Sequence, residues 1–329
     1  MTGPLLEIRR LSTHYVSARG TRVTRAVDDV SLSLDQGQTL GIVGESGSGK
    51  TTLALTLLRM LPPAAKIVSG EIMFEGADLL KKSASEMRRI RGKRIAMILQ
   101  DPMASLNPLF TVGDQVAEPL RVHEGVGRAG AWSRAKDLLK SVRISAPESQ
   151  VGEYPHQMSG GMRQRIVGAI AISCAPRLLI ADEPTTSLDL TIQAQYLNLL
   201  RDLQRQHELA LIFITHNLGI VAKMCDQVAV MYAGRLVEWG PVTRIFDAPA
   251  HPYTQALLGS IPRMGGDARE RLTAIEGQPP DLAAPPSGCA FHPRCPHVMA
   301  QCREQAPPET VLAPRHTTRC WLSVPAPAR

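Results

Sequence analysis

Short apolar runs and helical spacing alternate along the first part of the chain. Residues 30–34 alternate apolar and polar side chains, which is the period of a half-buried strand, and residues 40–43 form a short, wholly apolar run. A glycine-rich stretch then leads into residues 51–61, where apolar side chains recur at helical spacing. This pattern predicts two strands, a loop and a helix in succession.

The alternation continues to about residue 232. Further strands are predicted at residues 71–74, 95–99, 178–181, 211–215 and 228–232. A helix is predicted at residues 191–206, between two of these strands, and such alternation indicates an α/β sheet. Residues 101–160 carry helical segments instead, such as residues 133–142, which predicts an inserted helical subdomain.

Length and composition are those of an ordinary globular protein. The 329 residues, 44% of them hydrophobic and 20% charged, can form one large domain and an appendage. Because prolines and cysteines become frequent after about residue 262, we expect domains at residues 1–257 and 258–329. No apolar run is long enough to span a bilayer, and no signal sequence is recognisable at the start. We therefore expect a cytoplasmic chain that acts at a membrane only through a partner.

The chain is basic, with a net charge of +7 and a pI near 9.3. Such a charge suits nucleic acid or the anionic inner face of a membrane, and alone it does not decide between them. Basic residues are densest at residues 81–94, where Glu86 interrupts them. A solvated helix and turn is the favoured interpretation of that segment.

The glycine-rich stretch matches the phosphate-loop pattern G-x-x-x-x-G-K-[ST] in its required place between a strand and a helix. Its residues are Gly44, Glu45, Ser46, Gly47, Ser48, Gly49, Lys50 and Thr51, followed by Thr52. Glycines let successive backbone N–H groups converge on phosphate oxygens, and the helix N-terminus adds partial positive charge. We expect Lys50 to neutralise the outer phosphates and Thr51 to bind Mg²⁺. A glycine-rich turn without function rarely supplies this Lys-Thr pair.

The apolar strand at residues 178–181 ends in two carboxylates, Asp182 and Glu183. A buried strand does not tolerate charge without a compensating role. We expect Asp182 to hold Mg²⁺, directly or through water, and Glu183 to polarise an attacking water. An acidic turn would be the favoured interpretation of this segment alone, but not beside a phosphate loop.

A second anion site is predicted where Ser159, Gly160 and Gly161 precede an amphipathic stretch at residues 162–171. Ser159 can cap a helix there, and paired glycines allow the backbone to approach a γ-phosphate closely. A capped helix without a ligand is the alternative if the tripeptide is considered in isolation.

Taken together, these residues resemble the ATP-binding-cassette (ABC) nucleotide-binding subunits over about the first 250 residues. The Walker A loop lies at residues 44–51 and the Walker B strand at residues 178–182. The family pattern also places a Q-loop at Gln100, a signature at residues 158–162, a D-loop at Ser187, Leu188 and Asp189, a switch histidine at His216, and an adenine-stacking ring at Tyr15. The resemblance implies a P-loop NTPase fold, in which a RecA-like core carries an antiparallel β subdomain and an inserted helical subdomain.

The resemblance also implies a mechanism with ATP and Mg²⁺. In this family two cassettes pair head to tail, and each ATP lies between one Walker A loop and the opposing signature. Glu183 is then the catalytic base, and His216 holds the γ-phosphate and the attacking water. Gln100 is implied to be a catalytic residue that binds Mg²⁺ with Thr51 and Asp182, senses the nucleotide and couples to the membrane subunits. Asp189 joins the nucleotide-binding residues.

Two positions depart from the common family pattern. Met162 ends the signature where glutamine is usual, which is similar to a subfamily trait and does not threaten activity. Asn217 follows the switch histidine where an acidic residue is usual, so a charge is missing near the D-loop.

Residues 100–108, 154–157 and 251–254 resemble the dipeptide and oligopeptide importer ATPases, which share these segments with nickel importers. The resemblance implies a peripheral position at the cytoplasmic face of the inner membrane and no nucleic acid partner. It implies a second, related ATPase subunit, two permease subunits and an extracytoplasmic binding protein.

Three other functions are weighed against peptide import. Import of nickel or another small solute stays open. A DNA-repair or translation ATPase is disfavoured because the sequence shows neither long coiled coils nor a second cassette. A non-catalytic subunit is disfavoured because Lys50, Asp182, Glu183 and His216 are all present.

Four of the six cysteines lie near the end of the chain, at Cys289, Cys295, Cys302 and Cys320. A cytoplasmic location disfavours disulfides, and zinc sites usually show C-x-x-C pairs, which do not occur here. Residues 288–296 resemble the C-terminal extension of peptide-importer ATPases, where four cysteines can hold a [4Fe-4S] cluster. The resemblance favours this cluster over Zn²⁺, with free thiols third. The other two cysteines are expected to be inert.

Overall fold

The computed structural model describes residues 3–101, 105–186, 188–261 and 275–325. Contacts within the described residues divide the chain into two compact units. The first comprises Met1–Leu34, Thr39–Leu80 and Ile214–Arg329, and the second comprises Asp35–Gln38 and Lys81–Phe213. Among the described residues, no helix combines the length and the apolar character needed to cross a bilayer.

The first unit contains an antiparallel sheet of four strands. Their spatial order is β2 (Val23–Leu34), β1 (Leu6–Val16), β4 (Ala65–Phe74) and β5 (Ala77–Asp78). The pairing register of β1 shifts between Ile8 and Leu11, where Arg10 has a φ of 46°. This irregularity interrupts the two-residue alternation by which strands are predicted, so the sequence analysis missed β1. The strand predicted at residues 30–34 is the last part of β2.

A second sheet in this unit includes strands from both ends of the chain. Their order is β11 (Thr310–Ala313), β12 (His316–Thr318), β10 (Arg235–Pro241), β9 (Gln227–Tyr232) and β3 (Thr39–Val43). β3 is parallel to β9, and the other neighbours are antiparallel. Glu238 of β10 lies opposite Thr318 of β12, so the C-terminal segment extends this sheet. The unit's helices are α1 (Lys50–Leu57), α8 (Leu218–Met224), α9 (Val242–Asp247), α10 (Pro252–Gly259) and α11 (Ala300–Glu304).

Helix α1 ends earlier than the sequence predicts. Leu53 and Leu57 are buried, but Met60 is 50% exposed and lies beyond the helix. The predicted extension to residue 61 is therefore wrong. Prolines at positions 62 and 63 disfavour helical backbone just before them, and no burial of Met60 offsets that cost.

The second unit is built on three buried strands, in the order β8 (Ala210–Ile214), β7 (Leu178–Asp182) and β6 (Ile95–Ile98). β6 and β7 are parallel, and every residue of β7 and β8 is buried. Strands covered on both faces have near-continuous apolar sequences, which is why these were predicted to within one residue.

The remaining part of the second unit is helical. Its helices are α2 (Ala84–Ile90), α3 (Val112–Glu124), α4 (Arg128–Ser141), α5 (Pro147–Gln150), α6 (Gly160–Ile172) and α7 (Leu190–Gln206). The buried positions of α3 and α4 recur every four residues: Val112, Val116 and Leu120 in α3, and Ala131, Ala135 and Leu139 in α4. These positions form one face of each helix, and the helices occupy the region where the sequence predicts an inserted helical subdomain.

Candidate nucleotide site

The phosphate loop of the first unit curls tightly between β3 and α1. Gly44 has a φ of 152° and Gly49, which precedes α1, a φ of 102°. A Cβ atom on Gly44 would lie 2.1 Å from the carbonyl oxygen of Met231, and one on Gly49 would lie 2.0 Å from that of Ala26. Both positions therefore require glycine for conformation and for space.

The ammonium group of Lys50 lies inside this curl. Its Nζ donates to the carbonyl oxygens of Gly44 at 2.8 Å and Glu45 at 2.9 Å, and lies 3.4 Å from the hydroxyl of Ser48. Lys50 is 7% exposed, whereas the adjacent Thr51 is exposed. The loop thus concentrates positive charge and backbone N–H groups at one helix N-terminus, as phosphate binding requires.

Two other predicted residues of the first unit have clear positions. The hydroxyl of Tyr15 lies 3.4 Å from that of Thr52, so the aromatic ring is beside the first turn of α1. His216 is exposed and follows β8 directly. Asn217 caps α8, since its Oδ1 accepts from the backbone N–H of Gly219 at 3.0 Å and of Ile220 at 3.3 Å. The amide at position 217 therefore replaces a charge without loss of the helix cap.

The second unit brings together two residues that the sequence separates widely. Gln100 Nε2 donates to Glu183 Oε2 at 3.0 Å, and the hydroxyl of Thr186 lies 3.0 Å from the same oxygen. Glu183 has a φ of 46°, and Asp182 before it is 1% exposed. A non-glycine residue in this conformation costs free energy, and such strain persists where the surrounding structure fixes a functional group.

The predicted signature forms the capped helix start that the sequence indicates. Ser159 precedes α6, and its Oγ accepts from the backbone N–H of Met162 at 3.3 Å. Gly160 has no atom within 4 Å of an added Cβ, so this end of the helix is open to a close approach. Gly161 instead packs on Ile192, whose Cγ2 would lie 2.7 Å from a Cβ.

Asp189 of the predicted D-loop is the N-cap of α7. Its Oδ1 accepts from the backbone N–H groups of Thr191 at 3.1 Å and Ile192 at 3.0 Å, and its side chain is exposed. Ser187 of the same loop lies outside the described residues, as do positions 102–104 after the Q-loop glutamine.

The four C-terminal cysteines lie close to one another. Burial, together with the nearby thiols of Cys302, Cys320 and Cys295, raises the pKa of the Cys289 thiol to about 11. The backbone N–H of Cys289 donates to the carbonyl oxygen of Cys302 at 2.8 Å. Within the described ranges, however, no three side chains among His, Cys, Asp and Glu are arranged as a metal site.

Cys174 and Cys225, which we expected to be inert, are both buried. Burial raises the pKa of each thiol. Because the thiolate is the reactive form, neither side chain is primed for chemistry.

Sequence analysis missed two residues that contact the phosphate loop. The side chain of Arg294 forms an ion pair with Glu45, and the hydroxyl of Tyr253 accepts from the backbone N–H of Glu45 at 3.0 Å. Both residues lie in segments that resemble the peptide-importer ATPases, residues 251–254 and 288–296. Neither segment shows by its spacing that it reaches the loop.

Comparison with known proteins shows which family carries this set of residues. A family model described as "ABC transporter" matches residues 27–186, and one described as "Oligopeptide/dipeptide transporter, C-terminal region" matches residues 237–302. The chain is 50% identical, over 97% of its length and 95% of the relative's, to a probable peptide ABC transporter ATP-binding protein of Sinorhizobium fredii. The chain belongs to the ABC transporter ATP-binding family. The family predicted from the sequence is thereby confirmed.

Other relatives and solved structures agree with this assignment. The chain is 48% identical to the oligopeptide transport ATP-binding protein of Bacillus subtilis, covering 98% of this chain and 89% of the relative. It is also 48% identical to the dipeptide transport ATP-binding protein of that organism, covering 97% and 94%. The ATP-binding cassette MJ0796, solved as a dimer bound to ADP and Pi, shares the fold with a TM-score of 0.64 at 23% identity, covering 72% of this ABC chain and 98% of the cassette.

Proposed function

We propose that this ABC ATPase powers the uptake of dipeptides or oligopeptides through partner permeases, from a peripheral position at the cytoplasmic face of the membrane. The observation that carries the proposal is identity of 45% to 50% over nearly the whole chain with ATP-binding proteins named for peptide, oligopeptide and dipeptide transport. The match at residues 237–302 to the C-terminal region of such transporters supports it separately.

The contacts of Lys50 and Glu183 support the roles that we propose for the site residues in hydrolysis. Lys50 and the N–H groups of its loop would hold the phosphates of ATP. Thr51 and Asp182 would bind the Mg²⁺ ion that accompanies the nucleotide. Glu183 would accept the proton of the attacking water. Its hydrogen bond from Gln100 orients the carboxylate and connects it to the Q-loop.

We further propose that the functional assembly contains two cassettes, this chain and a second, related ATPase, with two permease subunits and an extracytoplasmic binding protein. The open start of α6 at Ser159 and Gly160 supports a composite site, since an exposed, capped helix end suits the phosphate of an opposing cassette's nucleotide.

The test of cargo is purification of the intact complex from membranes, followed by reconstitution into vesicles. Labelled dipeptides and oligopeptides should accumulate in an ATP-dependent manner when the binding protein is present, and labelled Ni²⁺ should not. Accumulation of Ni²⁺ without peptide would replace peptides with nickel as the cargo. A complex without permeases would contradict a transport function altogether.

For the C-terminal cysteines we propose a [4Fe-4S] cluster, with Zn²⁺ as the alternative. Four thiols form the donor set that such a cluster uses, and the rise in the pKa of Cys289 caused by the other three supports their proximity. Cys289, Cys295, Cys302 and Cys320 would act as the ligands.

Metal analysis of chain isolated without oxygen tests this assignment. We expect brown protein with about four irons per chain, as in one cubane cluster. One zinc and no iron would replace the cluster with a structural zinc site. Neither metal would leave free thiols.

A further inference from the structure

Arg294, which lies between Cys289 and Cys295, connects the C-terminal segment to the phosphate loop. Its Nη1 lies 2.7 Å from Glu45 Oε2 and its Nη2 lies 3.1 Å from Glu45 Oε1, which is a bidentate ion pair across 249 positions of sequence. The Arg294 side chain is only 4% exposed, and that of Glu45 is 26% exposed. Bidentate pairs of an arginine and a carboxylate are among the stronger charge-assisted hydrogen bonds in proteins.

Every N–H group of this guanidinium has an acceptor. Besides Glu45, Nη1 donates to the hydroxyl of Tyr232 at 3.3 Å, Nη2 to the carbonyl oxygen of Ile275 at 3.2 Å, and Nε to that of Glu276 at 2.9 Å. The guanidinium carbon also lies 5.8 Å from the ring centroid of Tyr232. Arg294 is therefore held in one position, with its charge directed at Glu45.

Aromatic packing fixes the same junction. Phe291, three positions before Arg294, is 2% exposed, and its ring centroid lies 5.2 Å from that of Tyr232 and 5.4 Å from that of Tyr253. The hydroxyl of Tyr253 accepts from the backbone N–H of Glu45. Both the side chain and the backbone of Glu45 are thus anchored from outside the loop.

Because Glu45 is negatively charged, its ion pair with Arg294 should affect the binding of ATP. A carboxylate in a phosphate-binding loop opposes the negative charge of a nucleotide and competes for the ammonium of Lys50, which already contacts the Glu45 carbonyl. We propose that Arg294 is a positioning residue for ATP binding, which neutralises Glu45 and holds its carboxylate away from the phosphates. The inference rests on ATP binding by this cassette and not on the identity of its cargo.

The test measures the Kd of Mg-ATP calorimetrically for the full chain and its variants. Arg294→Met should raise the Kd by about tenfold or more, since it leaves a partly buried charge unpaired. Arg294→Met combined with Glu45→Gln should recover most of that loss, because the unpaired charge is gone. The ratio of the variant Kd to the wild-type Kd should also decrease when the salt concentration is raised from about 0.05 M to about 1 M. Salt screens the repulsion between the Glu45 carboxylate and the phosphates of ATP.

Arg319→Met is the matched control, since Arg319 is another C-terminal arginine, 15% exposed, whose ion pairs are to Asp29 of β2 at 2.9 Å and to Glu309 at 3.7 Å. Its Kd should stay within about twofold of the wild type. An Arg294→Met Kd equal to the wild type, or a double variant as weak as the single one, overturns the proposal. If Arg294→Met does not fold, Glu45→Gln alone decides: it should bind ATP at least as tightly as the wild type, and weaker binding contradicts the inference. None of these measurements depends on peptide transport.

Discussion

At the scale of single residues, the orientation of the Glu183 side chain is set by its hydrogen-bond partners and by its backbone conformation. Gln100 and Thr186 both contact its Oε2 at 3.0 Å, and its φ of 46° fixes the direction in which the side chain leaves β7. A carboxylate held in this way can accept a proton without first reorganising, which is what a catalytic base requires.

Glu183→Gln should therefore bind ATP and lose hydrolysis. The amide preserves the shape of the side chain and removes its basic oxygen, so we expect turnover to fall by about 100-fold or more. Phosphate release and ATP affinity should be measured on the same preparation. Glu118→Gln, an exposed position on α3, is the control and should hydrolyse ATP normally. Turnover near that of the wild type in Glu183→Gln would exclude the base role.

His251 should make the free energy of unfolding depend on pH. Burial lowers the pKa of His251 to about 3, from an ordinary value of 6.5. Its Nδ1 accepts from the backbone N–H of Tyr253 at 3.0 Å, and the backbone N–H of His251 donates to Glu238 Oε2 at 2.9 Å. The unfolded chain binds a proton at His251 between these two pH values and the folded chain does not. The free energy of unfolding therefore keeps the full contribution of His251 above about pH 6.5 and loses about 1.4 kcal/mol per pH unit below it.

His251→Asn should remove this slope, because asparagine can cap α10 without titrating. Denaturant unfolding of both proteins at several values between pH 7 and pH 5 measures the difference. We expect the two free energies of unfolding to converge as the pH falls. Parallel curves would mean that His251 titrates normally in the folded protein.

At the scale of elements, the junction of β3 and α1 depends on glycines that other residues cannot replace. Gly49 combines a left-handed φ of 102° with a backbone oxygen 2.0 Å from any Cβ. Backbone atoms cannot rotate away as a flexible side chain would, so a substitution must move the loop or the strand beside it.

Gly49→Ala should lose both ATP affinity and stability. We expect a free energy of unfolding more than about 3 kcal/mol below the wild type, since overpacking adds to the backbone strain. Gly76→Ala is the matched control, with a φ of 78° and no atom within 4 Å of the added Cβ, and it should cost only about 1 kcal/mol. Equal losses in the two variants, measured by urea unfolding, would show that conformation alone and not space determines position 49.

At the scale of the whole molecule, the composite ATP site proposed above requires a second cassette to complete it. Ser159, Gly160 and Asp189 are exposed, although each lies at a well-formed helix cap or start. If these positions meet the nucleotide of an opposing cassette, as we propose, hydrolysis should depend on assembly.

ATP turnover per chain should accordingly rise with protein concentration and rise further when the partner subunits are added. Ser159→Arg in the signature should act in trans, lowering turnover in mixtures with wild-type chain, because the bulky charged side chain obstructs the opposing site. Steady-state phosphate release over a wide range of concentrations measures this. A chain that is fully active and independent of concentration as a monomer would contradict a composite site.

The sequence by itself determined those features whose physical cause is local. The phosphate loop, the cap at Ser159, and the buried strands β7 and β8 each depend on residues a few positions apart. Glycine conformation, helix capping and apolar runs leave a signature within one segment, and these predictions were confirmed. β1 was missed because its bulge removes that signature.

Only the tertiary structure decided which distant residues meet. Gln100 and Glu183 are 83 positions apart, and Arg294 and Glu45 are 249 positions apart. The sequence marked the first pair only through family resemblance and gave Arg294 no role at all. A contact between remote segments produces no periodicity in the sequence, because it depends on how the chain closes on itself and not on the spacing within either segment.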